Sequence, residues 1–121
     1  MKEEDVLGFI AATITSVWAL EVLLLLRRDP SRAWTSGELV HELRGSSVAV
    51  DESLATLRSA GLAAADAEGR VRFAPASAQL ETFVAEAALL YAEKPDSVIR
   101  AIAAGSNKKL RLFADAFRFK E

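Results

Sequence analysis

The chain has 121 residues, 51% of them hydrophobic and 26% charged. That size and balance fit one folded domain with a sizeable core and exclude intrinsic disorder. It has no cysteine and a net charge of −2, which excludes disulfides, thiolate metal sites and cysteine nucleophiles and gives no overall attraction to nucleic acid.

The opening Met1-Lys2-Glu3-Glu4-Asp5 lacks the positive stretch of a secretory leader. The three acids suit the first turn of a helix, where the macrodipole favours negative charge. With the absence of cysteine, this points to a cytoplasmic protein. A helix is predicted over residues 4–28, closed by Arg27 and Arg28 and stopped by Asp29-Pro30. Ile10, Ile14, Val17 and Trp18 share one stripe on it. The run 6–26 has the length of a membrane span, about 31 Å at helical rise. Glu21 within it, and Thr13, Thr15 and Ser16 at its centre, favour two buried segments of one helix instead: 17–26 in the core and 6–14 at a dimer contact. Glu21 needs a partner if buried, and Arg100 or Arg111 of a second copy is the expected one.

Thr35-Ser36-Gly37-Glu38 has the spacing of a capping box. It opens a short helix with Leu39, Val40 and Leu43 inward, ended by Gly45. Ser46 or Ser47 caps a second short helix that runs to about Ala60, with Val50, Leu54 and Leu57 inward and Gly61 as its stop. Two extended runs follow, 62–65 and 70–74, joined by a turn at Asp66-Ala67-Glu68-Gly69. Val71 and Phe73 share one face of the second run, and Arg70 and Arg72 the other. Arg32-Ala33-Trp34 is available as a short third strand. A helix then runs to about Glu93, with Leu80, Val84, Ala87 and Tyr91 on one side. Lys94-Pro95-Asp96 and Gly105-Ser106-Asn107 are read as breaks, which leaves helices over 97–104 and 108–119. Leu110, Phe113, Ala114 and Phe117 form a stripe on the last.

The order helix, short strand, helix, turn, helix, two-stranded hairpin, helix resembles a winged helix-turn-helix domain. The residues that carry the resemblance are Ser53-Leu54-Ala55-Thr56-Leu57-Arg58-Ser59-Ala60-Gly61-Leu62, which look like a recognition helix running into a first wing strand. The expected fold is therefore mainly α with a small β-hairpin wing. It forms a single domain over 1–121, with a winged core at about 16–76 and flanking helices in 1–15 and 77–121. The resemblance is to bacterial winged-helix transcriptional regulators, MarR- or PadR-like in layout. It implies a DNA-binding homodimer with no cofactor. The implied DNA contacts are Ser46, Ser47, Ser53, Thr56, Arg58, Arg70 and Arg72. The implied dimer contacts are Leu7, Ile10, Ile14, Phe83, Leu90, Phe113 and Phe117.

The side chains of the motif pull the other way. Between Thr35 and Pro75 six acids face four bases, and Asp51 and Glu52 open the recognition helix where phosphates would repel them. A winged helix used as a protein-interaction or assembly module is the alternative. The segment from Lys94 onward holds seven bases and three acids, read as a solvated surface that complements helix ends. No catalytic constellation is visible. His41 is the single histidine and falls on the outer side of its helix, and Glu38 and Glu42 point to a different side from it, so no metal site is expected. Trp18, Trp34, Phe83 and Tyr91 are read as core fillers rather than an effector pocket.

Overall fold

A computed structural model of the chain describes residues 1–118 and, for side chains, residues 1–106. Six helices and a two-stranded sheet follow in the order α1 (Glu3–Thr13), α2 (Val17–Arg28), α3 (Ser36–Leu43), α4 (Ser47–Ser59), β1 (Ala63–Ala65), β2 (Val71–Phe73), α5 (Ala78–Glu93) and α6 (Pro95–Arg118). The chain is mainly α with a small antiparallel hairpin.

The single helix expected over 4–28 is two helices that diverge by 108°. Ile14 leaves α1 in extended backbone conformation, and Ser16 caps α2 by accepting a 3.0 Å bond from the Ala19 amide. Thr13 Oγ1 donates back to the Phe9 carbonyl over 2.6 Å. The polar cluster at the centre of the apolar run therefore marks a corner, because these side chains can satisfy free helix ends that Val or Leu would leave bare. No single helix among the described residues is long and apolar enough to cross a membrane; α1 and α2 reach that length only across their bend.

Helix α2 is the centre of the core. Leu20, Val22, Leu23 and Leu26 are fully buried, among α3, α4 and the hairpin. Its first turn departs from the expected stripe: Ile10 and Ile14 are buried, but Val17 and Trp18 are exposed, because the bend rotates α2 relative to α1. The Thr35–Glu38 capping box forms in both directions, at 3.1 and 2.8 Å. Arg44, not Gly45, adopts the left-handed conformation that ends α3, with φ 54°. Gly45 has another role: a Cβ there would lie 3.0 Å from the Trp18 ring.

Strands β1 and β2 pair with Ala63 opposite Phe73 and Ala65 opposite Val71. Trp34 adds a one-residue bridge to Val71 through two 2.8 Å backbone bonds, so the third strand is a single rung. On the other side of the molecule α1, α5 and α6 pack on one another. The predicted break at Gly105-Ser106-Asn107 does not occur, and α6 runs through it. Gly105 is buried, and a Cβ there would collide with the Ala11 carbonyl. The glycine permits close helix approach instead of ending a helix.

Candidate functional site

The Ser46 hydroxyl starts α4 by accepting from the Ala49 amide at 3.0 Å. Val50, Leu54 and Leu57 then turn inward, and this fixes what faces out: Ser47, Val48, Asp51, Glu52, Ala55, Arg58 and Ser59. Two carboxylates and one guanidinium share that face. Asp51 is held in place by the Ser36 hydroxyl, 3.1 Å from its Oδ1.

Trp18 flanks the start of α4. Its ring lies against Gly45, and 40% of the residue remains exposed. Val17 and Val48, 36% and 65% exposed, are the other large apolar side chains left open on α2 and α4. Trp18 lines a groove of about 480 Å³ with Ser16, Ala49, Glu52 and Thr56. A second groove, about 460 Å³, runs between Ala12–Thr15 and Ala55–Ala60. The two share Thr15, Ala55 and Thr56, so a continuous channel follows α4. Apart from Glu52 and the Trp18 ring, its walls are small side chains.

The β1–β2 hairpin offers less charge than its sequence promised. The Asp66 backbone and side chain close the turn: its N–H donates to the Arg70 carbonyl at 2.8 Å, and its Oδ1 accepts from the amides of Glu68 and Arg70. Arg70 is drawn into the same knot, with 3.2 Å ion pairs to Asp66 and Glu68. Desolvation alone raises the Asp66 pKa, but the two amides and the Arg70 guanidinium outweigh it, and the carboxyl lies below its ordinary value. Arg72 is exposed on β2 and makes no ion pair among the described residues.

The residues implied as DNA contacts therefore divide. Ser47, Arg58 and Arg72 are exposed and free to meet a ligand. Ser46 is exposed but occupied as the cap. Arg70 is committed to two acids. Thr56 is half-buried, 3.4 Å from the Thr15 hydroxyl. Ser53 is a correction: it is 3% exposed and donates to the Ala49 carbonyl at 2.7 Å, so it cannot reach a base or phosphate. Among the implied dimer contacts, Ile10, Ile14 and Leu90 are corrected too, because they are buried in the protomer's own core. Leu7 is half-buried against that core. Phe83 stacks on Phe9, with centroids 4.9 Å apart and planes at 15°. Phe113 and Phe117 lie outside the described side chains.

Several features were not legible in advance. Arg32 stacks over the Trp34 ring at 3.4 Å and pairs with Glu38 at 3.2 Å. The capping bonds from Thr35, backbone first and hydroxyl second, hold the Glu38 pKa below its ordinary value, helped by Arg32. Glu21 finds its partner within the protomer, in the Tyr91 hydroxyl at 2.8 Å. The four aromatics do not share a pocket: Trp34 is buried, Phe83 stacks, Tyr91 bonds Glu21, and Trp18 alone lines a groove. His41 is exposed, and no group of three or more acids and histidines among the described residues stands close enough to hold a metal ion.

Comparison of the chain with models of protein families, with curated proteins and with solved structures finds no match.

Proposed function

We propose that the chain is a winged-helix module that recognises another protein through the exposed face of α4 and the adjoining Trp18. The order α2, α3, α4 and hairpin, with Trp34 bridged to β2, supports the winged-helix assignment. One observation carries the protein reading: Trp18 and Val48 stand open beside Asp51 and Glu52, on the surface that a winged helix would turn toward phosphates. Apolar groups gain little from a phosphate backbone, and carboxylates are repelled by it. Open aromatic and aliphatic side chains rimmed by polar ones are what a protein interface buries.

A DNA-binding homodimeric regulator is the second reading. The exposure of Arg58 and of Arg72, which makes no ion pair among the described residues, supports it. Titration of labelled duplex DNA at low ionic strength, where phosphate attraction is strongest, separates the two. The protein reading expects no saturable binding. Binding that weakens steeply with salt, and weakens further in Arg72→Ala, overturns it.

A further inference from the structure

We infer that the outer edge of β1 takes an extended, acidic segment of a partner protein as an added strand. The edge adjoins the end of α4 away from Trp18, so the inference holds whatever Trp18 meets.

Trp34, β2 and β1 lie side by side in that order, and β1 is the open edge. The alternation of bonds in an antiparallel pair fixes what that edge presents. The Ala74 amide donates to the Leu62 carbonyl, and the Asp66 amide to the Arg70 carbonyl. Ala64, midway between Leu62 and Asp66, is thereby turned toward Arg72 on β2. Val71, opposite Ala65, spends its own N–H and carbonyl on Trp34, in keeping with that alternation. Ala63 and Ala65 therefore turn their N–H and carbonyl groups away from β2, where no partner meets them among the described residues.

An open groove of about 540 Å³ lies between Ala63–Ala65 and the side chains of Ala55, Arg58 and Ser59 on α4. Successive side chains of a strand point to opposite faces, so a groove that touches all three alanines follows the edge rather than one face. Exposed edges are commonly guarded by lysine, proline or a bulge. β1 is Ala-Ala-Ala in unbroken register and has none of these. Two donors and two acceptors on so short an edge suit a short extended segment, held chiefly through its backbone.

Charge selects the occupant. Arg58 is exposed on the groove wall, and Arg72 is exposed on β2 opposite Ala64. Neither makes an ion pair among the described residues. The acids of the hairpin turn, Asp66 and Glu68, are held by Arg70. Carboxylates on the added strand complement the two free guanidiniums. A second copy of β1 would set the same bases against each other. Duplex DNA would meet the arginines, but phosphates only accept and leave the two open carbonyls unpaired.

Fluorescence polarisation with the full chain tests this. The probe is a labelled Glu-Val-Thr-Val-Glu amide, which is acidic and strand-prone. It should bind saturably at low salt, and the same peptide with Lys for Glu should not. Methylating one alternate set of its backbone amides should weaken binding about tenfold, and methylating the other set should not, because a paired strand turns only one edge to its neighbour. Ala65→Pro removes an outward N–H and leaves the pairing with β2 intact. It should keep the circular dichroism of wild type and lose affinity about tenfold. Arg58→Glu should weaken binding, and Trp18→Ala should leave it unchanged. Failure to bind at millimolar peptide, equal binding of both methylated sets, or loss of binding in Trp18→Ala would each overturn the inference. So would wild-type dimerisation that Ala65→Pro abolishes, which assigns the edge to a second copy, or duplex binding lost in Arg58→Glu with no peptide binding, which assigns it to DNA.

Discussion

The Tyr91 hydroxyl donates to Glu21 Oε1 over 2.8 Å and so fastens α5 to α2. It is a bond between the C-terminal helices and the central helix of the core. The carboxylate, first, and partial burial, second, raise the Tyr91 pKa above its ordinary 10.0. Tyr91→Phe removes the donor and leaves a half-buried carboxylate without it, which should cost about 1 kcal/mol. Urea denaturation measures it.

The same bond sets an alkaline limit. A tyrosine whose pKa is higher folded than unfolded adds stability that is fully present below its unfolded pKa and is lost as pH rises through the folded value. Wild type should therefore lose its advantage over Tyr91→Phe only above about pH 10. Melting temperatures of both proteins, compared from neutral to strongly alkaline pH, check it; a difference that vanishes near neutrality contradicts the assignment.

Two helical glycines should respond to alanine with opposite signs. A Cβ on Gly8 would meet nothing within 4 Å, so Gly8→Ala should stabilise by roughly 0.5–1 kcal/mol through helix propensity. A Cβ on Gly105 would strike the Ala11 backbone, which cannot swing aside as a side chain does. Gly105→Ala should destabilise by about 1–3 kcal/mol. Thermal melts of the pair decide it.

Ser46 belongs to the fold more than to any ligand. Its hydroxyl caps α4, so Ser46→Ala should cost about 1 kcal/mol. Ser46→Asp, which preserves the cap, should restore stability. If DNA is bound, Ser46→Asp should weaken it through added negative charge, whereas under the protein reading duplex DNA stays unbound by either variant.

Local chemistry was legible; close approach between distant elements was not. Thr35–Glu38 and Ser46 could be read because a cap needs only neighbours in sequence. The stripe of Val50, Leu54 and Leu57 could be read because burial follows helical period. The bend at residues 14–16 was hidden, since the same Thr and Ser residues are tolerated inside a straight helix. Gly105 was read as a break because its propensity is poor; contact with α1 reverses that preference. Gly45 and Arg44 exchanged roles for a similar reason: the glycine is needed beneath the Trp18 ring. On the hairpin, the outward direction of Arg70 was readable, but the two acids that hold it were not, because the turn's shape brings them together.

The bend between α1 and α2 has a further consequence. In a straight helix one inserted residue turns everything beyond it by about 100°, and both packed sides would lose register together. Here Ile14 and Ser16 are extended, and Thr15 between them touches both sides: it meets Thr56 of α4 through its hydroxyl and receives the Ser106 hydroxyl of α6 on its carbonyl. The corner lets the α1–α5–α6 side and the side built from α2, α3, α4 and the hairpin each change sequence without rewinding the other. It also makes Thr15 the joint through which movement of α6 would be felt at α4.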